Sequence, residues 1–374
     1  RDFTPADWAK NEHLQTIMGA LFRKETMYVK NGAITSVFEA LVANDEIKFQ
    51  WDHRQRMTTP KEDDFFDVDW KYTTVRKDCT THDGLSSEDV PVVLICHGLQ
   101  SDSSSPLVQD MAQAFNDVGM DAACINFRGC SGEINKTPVG YHLGFTEDLK
   151  QMIEYIHTTS PHRRIFLSGF SLGANVVTSC LAELGETAYR YNICGAAVNA
   201  VPFDMVRANV NLNQDGLTKS LYGTRLLASM VERVESSYNR IPFPFPLEEV
   251  YKCRTIMDME NLVIAPIFGY RDAYDYYEQT STGPKVDRIA VPQLVIQAKD
   301  DPFFLGQKLP EQDVSRPLRI VLTEHGGHCG YVFHVTKEHG DEETFTTSWM
   351  PTELARFLSH LEESFSLQVD RLED

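Results

Sequence analysis

The chain has 374 residues, 42% apolar and 24% charged, which allows a large buried core and excludes global disorder. Its 54 acidic and 35 basic side chains leave a formal charge of −19. That field repels phosphate backbones and no basic run offsets it, so nucleic-acid binding is excluded. No apolar stretch is long enough to cross a membrane.

Residues 1–65 read as an N-terminal extension packing on the core. They hold a short helix near Pro5–Phe22, then polar sequence ending in the loop Thr58–Asp64. The chain starts at Arg1 rather than Met, so membrane association is expected only through a preceding segment or at a lipid surface. A strand over Phe65–Arg76 and a turn at His82-Asp83-Gly84 follow.

From residue 91 short apolar runs alternate with amphipathic ones. Strands are expected at Val92–Cys96, Ala122–Phe127, Ile165–Ser168 and Ile193–Val201, with helices at Leu107–Val118, Thr146–His157 and Leu172–Leu184 between them. This alternation specifies an α/β fold with a mostly parallel sheet wound by helices. The rhythm breaks over 203–285, where an amphipathic helix (Leu217 to Val234), the turn Ile241–Pro246 and an aromatic piece ending at Tyr277 stand together. That insertion is expected to be a helical lid; Phe243, Phe245 and Phe268 on it are read either as packing or as the lining of an acyl pocket. The core is therefore 66–202 and 286–374, resuming with strands at Leu294–Gln297 and Leu318–Leu322 and closing with a helix over Pro351–Phe365.

Gly169-Phe170-Ser171-Leu172-Gly173 lies between an expected strand and an expected helix. This is the G-x-S-x-G pattern of a nucleophile elbow: glycines remove side chains that a tight turn cannot accommodate, and the serine is lifted clear at a helix N-terminus. A serine hydroxyl needs a base. The later strand ends offer an acid in Lys299-Asp300-Asp301-Pro302 and a histidine in His325-Gly326-Gly327-His328. Asp301, fixed by Pro302, is favoured over Asp300, and His328, flanked by small residues, over His325. An oxyanion hole needs two backbone N–H groups; those of Leu172 and of Leu99, in His97-Gly98-Leu99, are the candidates. His97 itself reads as a support of that loop. Arg128 and Glu133 read either as contacts to a polar group of the substrate or, the favoured reading, as holding a loop beside the site through charge-assisted hydrogen bonds.

The eight cysteines form no CxxC pair, and Cys96, Cys124 and Cys194 sit in apolar runs as small hydrophobes. That usage fits a reducing, intracellular setting, cytoplasmic or membrane-associated. His325, His328 and His334 lack the companions of a zinc site, so neither metal nor cofactor is expected.

At these residues the chain resembles the YheT-like branch of the α/β-hydrolases. The resemblance rests on His13-Leu14-Gln15-Thr16, His97-Gly98-Leu99, Asn126–Glu133, Tyr141-His142, Gly169–Gly173, Phe268-Gly269-Tyr270, Asp300-Asp301-Pro302 and His325–His328. It implies a triad of Ser171, Asp301 and His328 and a small-molecule acyl ester or lipid as substrate. The expected activity is that of a carboxylic ester hydrolase working through an acyl-enzyme. Two alternatives stay open: an acyltransferase passing the same acyl group to an alcohol, and a ligand-binding receptor on a hydrolase scaffold.

Overall fold

The apolar runs form a sheet because each is short and continuously apolar, a pattern suited to burial on both faces. Strands β5 (Val92–Cys96), β6 (Asp121–Asn126), β7 (Ile165–Phe170) and β8 (Ile193–Asn199) are buried along their whole length. They run parallel to one another and to β9 (Gln293–Ala298) and β10 (Leu318–Thr323). Before these come β1 (Met27–Lys30), β2 (Ala33–Ile34), β3 (His53–Thr58) and β4 (Phe65–Lys71). The eight-stranded sheet has the order β10-β9-β8-β7-β5-β6-β4-β3, with β4 and β3 antiparallel at one edge. This is the α/β-hydrolase arrangement read from the sequence. The structure is a computed structural model that describes residues 5, 10–21, 27–30, 33–34, 49–59, 64–75, 90–335, 343–346 and 349–373. The turn expected at 82–84 and Cys79 lie outside the described residues.

The boundary expected at residue 65 falls inside the β3–β4 hairpin. Strand β3 is polar, and only Met57 is buried along it. Its register is set by charge: Arg54 lies opposite Asp69 and Arg56 opposite Asp67, with ion-pair distances of 2.7 and 2.9 Å. Hydrophobic periodicity has nothing to detect in such an edge strand. A second, antiparallel sheet, in the order β11-β12-β1-β2, joins β11 (Phe333–Val335) and β12 (Glu343–Thr346) to the N-terminal β1 and β2. Its strands are too short for any alternation to be read.

Helix α1 spans Glu12–Leu21, α2 Pro106–Asp117, α3 Glu147–Thr159 and α4 Leu172–Leu184. Helix α2 buries Leu107, Val108, Met111, Ala112 and Phe115 at helical spacing. The closing helix runs from Trp349 to Glu373, longer than expected, and Pro351 lies in its first turn, where a missing N–H is tolerated. It packs on β8 and α2, while α3 and α4 pack on each other.

Between β8 and β9 the chain is helical, with α5 (Met205–Asn213), α6 (Thr224–Ser237) and α7 (Ala273–Thr280) as its main pieces. Val234, Phe245, Val250 and Met259 form a small core of its own. The amphipathic helix expected from Leu217 is α6 preceded by a wide turn, Lys219–Gly223; Leu217 and Leu221 stay exposed, because the buried stripe begins only with α6.

Among the described residues no helix is long and apolar enough to cross a membrane. Cys96, Cys124, Cys130, Cys180, Cys194 and Cys253 are free thiols.

The loop after β6 is tied to α3 by Arg128, which grips Asp148 with both side chains buried and Nη2 2.7 Å from Oδ1. Glu133 meets Arg56 at the surface, 2.7 Å away. Removing one partner of a buried pair strands the other charge in a low dielectric. Asp148→Ala is therefore expected to lower unfolding free energy by about 3–5 kcal/mol, read as a fall in the urea midpoint. Glu133→Ala should move that midpoint far less.

Candidate active site

Parallel sheets gather their loops at the carboxyl ends of the strands, and ligands sit where the strand order reverses. Here the chain leaves β5 for β6 on one side and returns to β7 on the other. The loops after β5 and β7 therefore meet.

Ser171 occupies the turn between β7 and α4 with φ 54° and ψ −122°. A non-glycine residue at positive φ is strained unless its surroundings hold it. Its N–H donates to the Asn199 carbonyl at 3.0 Å, and its carbonyl accepts from the Asn175 N–H at 3.1 Å. The two glycines answer to β5: a Cβ on Gly169 would come within 2.8 Å of the Cys96 carbonyl oxygen, and one on Gly173 within 2.0 Å. Any side chain at either position would push the elbow off the sheet.

His328 follows β10 and reaches back over this turn. Its Nε2 lies 3.0 Å from Ser171 Oγ, and its Nδ1–H donates to Asp301 Oδ2 at 2.9 Å. Asp301 follows β9, is 1% exposed, and accepts the Phe303 N–H at 2.9 Å on its other oxygen. The Phe303 ring lies flat on the imidazole, centroids 3.9 Å apart. The neighbouring acid serves a second pair: Asp300 accepts the Gly327 N–H at 2.9 Å and faces His325 Nδ1 at 3.2 Å. Burial pushes the Asp300 carboxyl above its ordinary pKa. Of the two acids and two histidines left open by the sequence, Asp301 and His328 converge on Ser171.

Leu99 and Leu172 both line the cavity in front of Ser171. The Leu99 N–H donates to no group among the described residues, and Leu172 opens α4, where N–H groups have no intrahelical acceptor. His97 is fully buried and ties its own loop to the one after β6: Nδ1–H donates to the Gly98 carbonyl at 2.8 Å, and Nε2 accepts the Phe127 N–H at 3.2 Å. It is a support, as its sequence context suggested. Among the described residues no three His, Cys, Asp or Glu side chains cluster as metal ligands.

The cavity measures about 750 Å³ and extends from Ser171 and His328 under the helical segment between β8 and β9. Phe243 and Phe268 line it; Phe245 packs instead into the small core of that segment. His142, also on its wall, is held to a pKa of about 3 by burial against Phe268 and Tyr276, so it stays neutral.

Helix α1 supplies what the sequence reading left unassigned. The Thr16 hydroxyl accepts the His328 N–H at 2.8 Å. Gln15 is fully buried and brackets Val332, accepting its N–H at 2.6 Å and donating to its carbonyl at 3.1 Å. A Cβ on Gly330 would come within 2.0 Å of the Gln15 carbonyl oxygen, and one on Gly327 within 2.5 Å of Thr16 Oγ1. The only signal for this clamp was the motif His13-Leu14-Gln15-Thr16, which carries no chemistry by itself.

The profile of the family described as serine aminopeptidase, S33, matches residues 87–309, more than half of the chain. The chain is 29% identical over 334 residues to the Escherichia coli (strain K12) protein YheT, covering 88% of this chain and 87% of that one. It is 29% identical over 292 residues to a Saccharomyces cerevisiae monoacylglycerol lipase, covering 76% of this chain and 62% of the relative. It is 24% identical over 303 residues to the yeast medium-chain fatty acid ethyl ester synthase/esterase 2, covering 75% and 64%. The chain thus spans less than two thirds of either yeast relative. It belongs to the serine aminopeptidase S33 family of α/β-hydrolases and is a serine hydrolase.

Proposed function

We propose that this protein hydrolyses carboxylic esters of acyl chains through a Ser171–His328–Asp301 triad and an acyl-enzyme. One observation carries the reading: an unbroken run of contacts, Asp301 to His328 to Ser171, ends at the wall of a largely apolar cavity of about 750 Å³.

In this reading neutral His328 takes the Ser171 proton through Nε2 as Oγ attacks the ester carbonyl. Asp301 holds Nδ1 protonated and stabilises the imidazolium. The N–H groups of Leu99 and Leu172 receive the developing oxyanion. The tetrahedral intermediate collapses, the alcohol leaves with the proton from His328, and water repeats the sequence to free the acid. The segment 203–285 acts as a lid whose inner face holds the acyl chain. An apolar cavity favours acyl chains over peptides, whose backbone groups would go unpaired there.

Ser171→Ala should retain the fold and lose hydrolysis of p-nitrophenyl esters by a factor on the order of 10⁴–10⁶. In the parent protein kcat/KM should climb from acetate to medium chains, since each buried methylene contributes roughly 0.8 kcal/mol, and then fall. Activity highest on acetate and declining steadily with length would contradict an acyl pocket. The α1 clamp gives a separate expectation. Thr16→Val keeps shape but removes the acceptor of the His328 N–H, so kcat should drop about tenfold with KM little changed, while Thr16→Ser should restore it. Equal kcat in Val and Ser variants would contradict the role given to Thr16.

A further inference from the structure

The wall of the cavity is mostly apolar, with polar side chains in patches. Arg128 and Glu133 belong to one patch, and they are paired with Asp148 and Arg56. The Arg233 guanidinium is occupied by the Arg128 carbonyl, by Cys130 Sγ at 3.1 Å and by the Tyr141 ring at 4.7 Å. A further patch is a cluster on the inner side of the segment between β8 and β9. Asn209 and Asn213 on α5, Tyr277 on α7 and Glu260 at the start of the wide turn Glu260–Ile264 all line the cavity.

These four side chains form one hydrogen-bonded chain. Glu260 Oε2 meets the Tyr277 hydroxyl, which lies 3.2 Å from Asn209 Oδ1, and that oxygen also accepts from Asn213 Nδ2. Asn213 Oδ1 accepts the Ile256 N–H at 2.9 Å. Glu260 is 7% exposed, yet its second oxygen has no hydrogen-bond partner among the described residues and is not sealed within the protein. The carboxyl belongs to the cavity wall, so that oxygen is available to whatever enters.

A buried polar atom costs free energy unless a partner satisfies it. We propose that Glu260, supported by Tyr277, Asn209 and Asn213, is a specificity-determining residue that accepts a hydrogen bond from a hydroxyl group of the substrate. The enzyme then selects hydroxyl-bearing acyl esters over plain alkyl esters. This rests on the ester-hydrolase reading of Ser171. Burial pushes the Glu260 pKa up to about 8, so near neutrality the group carries little charge to draw a cation, while its carbonyl oxygen still accepts from a hydroxyl. The hydroxyl can lie on the alcohol side of the ester or at the end of the acyl chain, and the experiment separates these.

Four esters of one chain length are compared: ethyl decanoate, glyceryl monodecanoate, ethyl omega-hydroxydecanoate and decanoylcholine. In the parent protein at least one hydroxylated ester should exceed ethyl decanoate in kcat/KM by about tenfold, the value of one hydrogen bond in a dry site. Which one does so places the hydroxyl. Glu260→Met, of similar length and apolar, should bring that ratio close to one, and Glu260→Gln, which keeps a carbonyl, should preserve most of it. A second measurement needs no variant: glyceryl decyl ether or omega-hydroxydecyl ethyl ether should inhibit the parent protein at about tenfold lower concentration than ethyl decyl ether. A ratio unmoved by Glu260→Met, equal inhibition by all the ethers, or a Glu260-dependent advantage of decanoylcholine alone would overturn the proposal. Ser171→Ala serves as the control for the underlying reading: persistent hydrolysis there would sink the mechanism, whereas an altered ratio or its absence speaks only to Glu260.

Discussion

The close approach of the strand β5 end to the Ser171 turn constrains everything around the site. Carbonyl oxygens of Cys96 and His97 press on Gly169 and Gly173 so tightly that no side chain fits at either place. That contact lets α4 start directly after β7 and holds Ser171 at positive φ. The strain is held from three sides: by β8 through the Asn199 carbonyl, by α4 through the Asn175 N–H, and by the loop after β5. With the turn so fixed, the place from which the hydroxyl projects is set. The ends of β9 and β10 then have to bring their side chains to it.

They do so with little freedom. Asp301 is locked by the N–H of Phe303 and by His328, and the Phe303 ring covers the imidazole face. Phe303 also meets the Tyr222 ring, centroids 5.1 Å apart, and Tyr222 in turn stacks on His13 of α1, which lies within 3.2 Å of its hydroxyl through Nδ1. The N-terminal helix, the helical segment over the cavity and the histidine loop thus share one run of ring contacts. Any movement of that segment which displaced Tyr222 would be felt at Phe303 and through it at His328.

Much of this was legible before the fold was seen. The Ser171 turn, Asp301 and His328 each stand at a strand end marked by glycine or proline, and their spacing leaves room for the helical insertion. The choice between Asp300 and Asp301 was narrower, because two acids side by side look alike until their oxygens are placed. Four features escaped. Strand β3 pairs by arginine–aspartate contacts, so it has no apolar rhythm. The small sheet unites residues near 30 with residues near 345, a pairing that no local pattern announces. The Thr16 clamp on His328 joins positions more than three hundred residues apart through a hydroxyl and close backbone packing. Glu260 escaped for a related reason: in sequence it is one acid among many, and its burial appears only when α5, α7 and the wide turn come together.

The central claim is that Ser171 is the nucleophile, and chemical trapping tests it most directly. A p-nitrophenyl alkylphosphonate with a medium chain mimics the tetrahedral intermediate and should form a covalent adduct when the serine attacks phosphorus and p-nitrophenolate leaves. The account predicts one adduct per chain by intact mass, located on Ser171 by peptide mapping, with loss of esterase activity in proportion to labelling. Esterase activity abolished while Ser171 remains unmodified, or an adduct on a different residue that tracks the loss, would contradict it.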